Sequence, residues 1–161
     1  MKVKFGGQDV TLAGVQLNVG DKVPAFTVIK NDLSPLSLAD MKGKKIISLV
    51  PSLDTEVCDM ETRKFNVEAG KLNDVKMYTI SMDLPFAQER WCGNHGIENV
   101  ITASDYKDRS AAAAFGAMIE EYGLLTRAVF VVDENDKVLY VEYCEEIVNE
   151  PNYEAALAAA K

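Results

Sequence analysis

The segment that most constrains the fold is a short apolar run followed at once by a helical pattern. Residues 44–50, KKIISLV, follow a Lys-Gly-Lys turn and have the length and composition of a buried β-strand. From Val57 to Leu72 apolar side chains recur at helical spacing, which predicts a helix over residues 56–72. The chain must therefore turn from strand into helix within a few residues after Pro51.

This turn places a cysteine at the start of the helix. If Thr55 is the N-cap, Glu56 is the first helical residue and Cys58 lies in the first turn. Free backbone N–H groups and the positive end of the helix dipole favour a thiolate there. The carboxylates of Glu56, Asp59 and Glu61 oppose it, so a basic residue from elsewhere in the chain is needed. From these residues alone, a small buried and inert side chain stays the alternative for Cys58.

Strands and helices alternate along the rest of the chain. Residues 1–13 alternate around two glycines and predict an N-terminal hairpin. The patterns further predict strands over residues 25–29, 75–81 and 99–102 and a hairpin of 128–132 with 138–143. Helices are predicted from Pro85 to about Cys92, over 110–122 with Gly116 as an interruption and Gly123 as the stop, and over 151–160. This order predicts an α/β fold with a mixed sheet, in one domain that spans residues 1–161.

Charge and cysteine usage limit the classes of partner and compartment. Lys plus Arg number 17 and Asp plus Glu 25, a net charge of −8, so neither nucleic acid nor an anionic membrane is an expected partner. The N-terminus lacks a signal-like apolar stretch, and no run approaches the ~20 apolar residues of a membrane span. Three irregularly spaced cysteines fit a reducing compartment, where disulfides are transient. We therefore expect a soluble, cytoplasmic protein.

The turn carries a recognisable motif. The pattern Pro51-x-x-x-Thr55-x-x-Cys58 resembles the active-site signature of the peroxiredoxins, and the fuller PSLDT-x-x-C is similar to that of their thiol peroxidase subfamily. Further segments agree with that subfamily: LAD at 38–40, TRKFN at 62–66, SMDLPFAQ at 81–88, CG at 92–93, GIENV at 96–100 and RAVFV at 127–131. The resemblance covers nearly the whole chain. It implies a thioredoxin-like fold, a central mixed β-sheet flanked by helices, with the N-terminal β-hairpin as an extension.

The resemblance also implies the chemistry, a thiol-dependent reduction of hydrogen peroxide and organic hydroperoxides. Cys58 would attack the peroxide and become a sulfenic acid, which Cys92 would resolve as an intrachain disulfide for thioredoxin to reduce. Thr55 would cap the helix and hydrogen-bond the peroxide, and Pro51 would close the pocket. Arg127 would supply positive charge to the thiolate and the peroxide oxygens. A homodimer is implied, and no cofactor or metal.

The same residues permit other interpretations. Cys58 with His95 would form a hydrolase dyad, and Cys92-x-x-His95 with the other cysteines a zinc site, but neither has the motif or paired spacing of its class. Cys144 matches neither family cysteine and is expected to pack. Glu56 occupies a position where Pro and Gly are familiar in the family. The alternative function is a redox relay or peroxide sensor that passes oxidation to a partner protein without bulk turnover.

Overall fold

A computed structural model describes residues 1–161 as an α/β protein with four helices and eleven strands. The helices are α1 (Glu56–Ala69), α2 (Pro85–His95), α3 (Ser110–Phe115) and α4 (Tyr153–Ala160), with a 3₁₀ turn at Leu38–Asp40. The strands are β1 (Lys2–Phe5), β2 (Gln8–Ala13), β3 (Thr27–Lys30), β4 (Pro35–Ser37), β5 (Lys44–Leu49), β6 (Val75–Ser81), β7 (Val100–Ser104), β8 (Met118–Ile119), β9 (Leu124–Leu125), β10 (Ala128–Val132) and β11 (Val138–Tyr143). None of the helices combines the length and apolar character needed to cross a membrane.

The central sheet has seven strands in the order β11-β10-β5-β6-β7-β3-β4. Strands β5, β6 and β7 are parallel, whereas β10 runs antiparallel to β5 and β3 antiparallel to β7. The sheet is therefore mixed, as the sequence predicts. Strands β1, β2, β8 and β9 form a second, smaller sheet.

Two apolar cores cover the two faces of the central sheet. On one face Phe115 of α3 packs against Phe26 and Phe130, with ring centroids 5.3 and 4.5 Å away. On the other face α1 and α4 pack together, and Phe65 and Tyr153 meet edge to face at 5.1 Å. Helix α2 lies against β7 on the same face as α1. Both helices that carry the cysteines predicted to react are thus on one side of the sheet.

The predicted turn from strand into helix is present, but the helix is shorter than predicted. It ends at Ala69, and Gly70 follows as the C-cap. A Cβ atom at Gly70 would lie 2.9 Å from the side-chain nitrogen Nδ2 of Asn99. This end of the helix therefore packs closely against the start of β7. Leu72 still packs against the α1 core, which explains why the apolar pattern continues past the helix.

The predicted helix over residues 110–122 is wrong beyond Phe115. Gly116 has φ 58°, in the left-handed region that glycine adopts readily, and ends α3 there. A Cβ at Gly116 would lie 2.3 Å from the carbonyl oxygen of Val15, so the two segments touch through their backbones. This contact sets β8 beside β2, and the apolar residues that suggested a longer helix belong to that small sheet.

The predicted N-terminal hairpin forms and is fastened to the segment after β11. The Glu146 carboxylate accepts hydrogen bonds from the N–H groups of Gly6 and Gly7, at 3.1 and 2.7 Å. In addition the Ile147 N–H donates to the Lys4 carbonyl at 2.8 Å. These bonds bring Phe5, at the end of β1, to the rim of the cavity described below.

Candidate active site

Cys58 lies in the first turn of α1, as predicted, with its side chain fully buried. The Thr55 hydroxyl oxygen accepts a hydrogen bond from the Cys58 N–H at 3.3 Å and donates its own proton to the Ser52 carbonyl at 3.1 Å. One threonine therefore caps the helix and fixes the loop before it. The orientation of the first turn is set by residues that are close in sequence.

Arg127 supplies the positive charge that the sequence argument requires. Ala128 pairs with Leu49 in the antiparallel β10–β5 ladder, which brings the start of β10 beside the end of β5. The Arg127 guanidinium places Nη2 3.0 Å from the Cys58 sulfur, and its Nε donates to the Ile147 carbonyl at 2.6 Å. The side chain is almost fully buried. The guanidinium thus places a buried positive charge directly against the Cys58 sulfur.

Glu61 is the functional residue whose part sequence reasoning missed. The carboxylates near Cys58 were expected to oppose the thiolate, but Glu61 is buried and its Oε2 accepts from Nη1 of Arg127. The Ser48 hydroxyl donates to its other oxygen at 2.7 Å. Glu61 therefore orients Arg127 and is neutralised by it. The available signal was spacing, because residues three apart on a helix share a face.

Burial and charge act against each other in this pair. Burial raises the pKa of the Glu61 carboxyl, although Arg127 and Ser48 act to lower it. Burial also disfavours the charged guanidinium, but the negative charges of Glu61 and Cys58 outweigh this and raise the pKa of Arg127. Arg127 is thus held as a cation between two acidic groups. Removing either partner would leave an uncompensated buried charge.

A cavity of about 270 Å³ opens above these groups. The residues that line it come from the turn, from the hairpin and from the segment after β11: Pro51, Thr55, Glu56, Val57, Arg127, Phe5, Ile147 and Val148. The floor carries a hydroxyl and a guanidinium, whereas the walls are largely apolar. Cys58 is fully buried and does not line the cavity, but its sulfur lies 3.0 Å from Nη2 of Arg127, which does. The cavity suits a small neutral molecule with polar atoms at one end.

Asp83 holds the loop that carries Pro51, a role that the sequence analysis did not predict. Its carboxylate accepts from the Ser52 hydroxyl at 2.7 Å and the Leu53 N–H at 2.8 Å. The Ser81 hydroxyl at the end of β6 donates to the same carboxylate at 2.7 Å. The ends of the adjacent parallel strands β5 and β6 are thereby tied together, which fixes the loop over the sheet edge.

Cys92 lies in the last turn of α2, near the helix end as predicted, and is half-buried. Its sulfur is 3.3 Å from the Thr102 hydroxyl, and that hydroxyl donates to Oδ1 of Asn31 at 3.2 Å. Burial raises the pKa of the Cys92 thiol, against the opposing hydrogen bonds of Thr102 and Asn31. The neighbouring Trp91 packs with Cys58 in a small apolar cluster. All three cysteines of the chain are free thiols.

The other candidate residues lie outside this arrangement. Nδ1 of His95 is 2.8 Å from the Trp91 carbonyl and Nε2 is 3.6 Å from the Asp59 carboxylate, so the ring makes no bond to the Cys58 sulfur. The structure therefore does not assemble a hydrolase dyad. Cys144 is buried directly after β11, and its N–H donates to the Arg127 carbonyl at 3.0 Å. Burial raises the pKa of the Cys144 thiol to about 12.

Comparisons with known proteins agree on one family. The family described as Redoxin matches residues 18–157. The chain is 58% identical to a thiol peroxidase of Bacillus subtilis, over 99% of this chain and 96% of that protein. A thiol peroxidase of Clostridium acetobutylicum is 50% identical over 100% of this chain and 98% of its own. A solved peroxiredoxin-like protein from Aquifex aeolicus has a TM-score of 0.91 and 41% identity, covering 98% of this chain and 95% of that one. The predicted thioredoxin-like fold is thereby confirmed.

Proposed function

The chain belongs to the redoxin family, among its thiol peroxidases, and from that membership we propose that Cys58 is the residue that attacks peroxide in its thiol-dependent peroxidase reaction. The observation that carries the proposal is the 3.0 Å contact between the Cys58 sulfur and the Arg127 guanidinium. No other cysteine of the chain has a cation within hydrogen-bond distance of its sulfur. The thiolate is the nucleophilic form of cysteine, so this pairing selects Cys58.

In the first step the Cys58 thiolate attacks one oxygen of the peroxide and the O–O bond breaks. The attacked oxygen stays on sulfur as a sulfenic acid, and the other leaves as an alkoxide or hydroxide that takes up a proton. Arg127 and Thr55 face the cavity where that negative charge develops, and Pro51 shields it from water.

In the second step Cys92 attacks the sulfenic acid sulfur, water leaves, and an intrachain disulfide forms. A disulfide needs the two Cα atoms within ~4.4–6.8 Å, whereas the two thiols lie on different helices and make separate hydrogen bonds. The first turn of α1, the end of α2, or both must therefore unwind. Thioredoxin, as the reductant, then restores both thiols by thiol–disulfide exchange.

The cavity walls support organic hydroperoxides as substrates beside hydrogen peroxide. Phe5, Val57, Ile147 and Val148 provide an apolar rim around the polar floor. An alkyl chain can remain in contact with this rim while its hydroperoxide group reaches the floor, whereas hydrogen peroxide gains nothing from it.

We further propose a homodimer, in the cytoplasm. Leu84 and Phe86 expose large apolar side chains at the start of α2, beside the Asp83 that holds the active-site loop. An exposed apolar patch of this kind marks a contact surface. Sedimentation at micromolar concentration should give the mass of two chains, and a clean monomer would contradict the proposal.

Steady-state peroxide consumption with thioredoxin, thioredoxin reductase and NADPH separates an enzyme from a relay. We expect many turnovers per chain, with both hydrogen peroxide and an alkyl hydroperoxide. A redox relay or sensor would instead consume about one equivalent of peroxide and then wait for its protein partner. That outcome would support the relay function and contradict the enzyme function.

A further inference from the structure

We propose that Thr102 and Asn31 are positioning residues that hold the side chain of the resolving Cys92 against β7 in the folded protein and thereby slow disulfide formation. The proposal rests on the assignment of Cys92 as the resolving cysteine. It adds two side chains that lie outside the Cys58 site, on β7 and in the turn after β3. They affect what fraction of the Cys58 sulfenic acid forms the disulfide with Cys92 and what fraction is over-oxidised to the sulfinic acid.

Thr102 connects Cys92 to Asn31. The Thr102 hydroxyl donates its proton to Oδ1 of Asn31 at 3.2 Å. The Cys92 sulfur lies 3.3 Å from the same hydroxyl. Asn31 therefore orients the Thr102 hydroxyl, and that hydroxyl holds the Cys92 side chain against β7.

The location of Thr102 explains why this bond opposes resolution. Ser48, Thr79 and Thr102 are register partners across β5, β6 and β7 and form one row under α1 and α2. Ser48, at one end, holds the Glu61 that binds Arg127, and Thr102, at the other end, holds Cys92. With strands ~4.8 Å apart, the row keeps its two ends roughly 10 Å apart. Cys92 must leave Thr102 before its sulfur can meet that of Cys58.

Two reactions compete for the Cys58 sulfenic acid. Attack by Cys92 gives the disulfide and water, whereas a second hydroperoxide oxidises the sulfenic acid to a sulfinic acid and is itself reduced to an alcohol or water. Only the first reaction requires Cys92 to leave Thr102. Weakening that bond should therefore speed the disulfide step and lower the yield of sulfinic acid at high peroxide. The step in which Cys58 attacks peroxide should not change.

The test uses Thr102→Val with Thr79→Val as the matched control, since Thr79 lies on the next strand in the same row and makes no hydrogen bond to either cysteine. Stopped-flow fluorescence of Trp91, the single tryptophan, follows both steps. We expect the second phase to be about fivefold faster in Thr102→Val, or about 1 kcal/mol at 1.36 kcal/mol per factor of ten, and unchanged in Thr79→Val. Thr102→Ser, which keeps the hydroxyl, should restore the wild-type rate.

Two further measurements separate this role from general loosening of the fold. Asn31→Ala should change the second phase in the same direction but less. In the Cys58→Ser background, which needs no peroxide chemistry, Thr102→Val should raise the rate at which iodoacetamide modifies Cys92, by peptide mass spectrometry. An unchanged or slower second phase in Thr102→Val, or an equal gain in Thr79→Val, overturns the proposal. A disulfide that joins Cys58 to Cys144 would instead overturn the assignment of Cys92 itself, which the alkylation result does not depend on.

Discussion

The surroundings of Cys58 and Cys92 differ in charge, burial and the origin of their partners. Cys58 is fully buried, and its sulfur accepts a hydrogen bond from the Arg127 guanidinium, whose position is fixed by Glu61. Cys92 is half-buried, and its sulfur meets a neutral hydroxyl. Burial alone disfavours a thiolate, so the more buried cysteine is the one that needs a cation. The contrast teaches that reactivity here follows the partner of the sulfur rather than its exposure.

The largest effect is expected from Cys58→Ser. If Cys58 alone is activated by Arg127, this variant should lose peroxide turnover by more than about a thousandfold, because the nucleophile is gone. Its fold should be intact, since serine is similar in size. Coupled NADPH oxidation measures turnover, and circular dichroism checks the fold. Turnover near that of the wild type would assign the attack to another cysteine.

Cys92→Ser should separate the two roles. Attack by Cys58 needs no second thiol, so the variant should consume one equivalent of peroxide at the wild-type rate and then stop as a sulfenic acid. A rapid-quench time course with intact-mass analysis follows both events. If the first equivalent of peroxide reacts much more slowly than in the wild type, Cys92 also contributes to the attack on peroxide. The two cysteines would then not have separate roles.

Arg127→Met should slow attack on peroxide by about 10²–10³-fold, the usual cost of removing one preorganised electrostatic partner. It should also destabilise the protein by ~3–5 kcal/mol, because Glu61 keeps a buried charge without its partner. Adding Glu61→Gln should recover most of the stability but not the rate. Urea denaturation and stopped-flow kinetics measure the two effects. Arg63→Met is the matched control, since Arg63 is exposed and pairs only with Asp59 on its own helix.

Hydrogen exchange should distinguish the two helix segments after oxidation. Both thiols must leave their folded partners to form a disulfide, so protection should fall over residues 57–61 and 89–95 in the disulfide form. Terminal helical turns open at low free-energy cost, and therefore the rest of the sheet should keep its protection. Equal protection of both segments in the reduced and disulfide forms would mean that the sulfurs meet without unwinding.

The smallest effect is expected from Cys144→Ala, which should leave turnover unchanged. Its influence should appear only in alkaline stability, because burial raises the pKa of Cys144 from 9.0 to about 12. Between these values the unfolded chain releases the thiol proton while the folded protein keeps it, so stability falls as pH rises. The variant should lose stability less steeply over this window. Urea unfolding at several alkaline pH values measures the slope, and identical slopes would contradict the expectation.

The parts of the fold that were predicted correctly are those with a local signal. The alternation in β6, the continuous apolar run of β10 and the helical period after Thr55 are visible within single segments of the chain. Gly116 was predicted as an interruption of the helix over residues 110–122 but not as its end. The end of α3 depends on the backbone of Gly116 touching that of Val15 about a hundred residues earlier. No short segment of the sequence contains both Val15 and Gly116.

The contacts of the candidate site likewise fall into local ones, which the sequence predicts, and long-range ones, which it does not. Thr55 and Cys58 are three residues apart, and their relation follows from the rules for helix starts. The bonds from Arg127 to Glu61 and from Thr102 to Asn31 join residues 66 and 71 positions apart. Only the order of strands in the sheet brings these pairs together. Family resemblance pointed to Arg127, but nothing in the sequence pointed to Asn31.

The fastening of the N-terminal hairpin limits how far this protein can be shortened or redesigned. Lys4 and the hairpin turn bind the segment that holds Ile147, and the Ile147 carbonyl anchors Arg127. A minimal enzyme without residues 1–13 would keep Cys58, Cys92 and Arg127 and yet lose both Phe5 from the cavity and the support of the guanidinium. An engineer who adds a fusion partner should therefore attach it after α4. There the Lys161 carbonyl accepts a hydrogen bond from Lys44 at the start of β5, whereas Arg127 lies beside the other end of that strand.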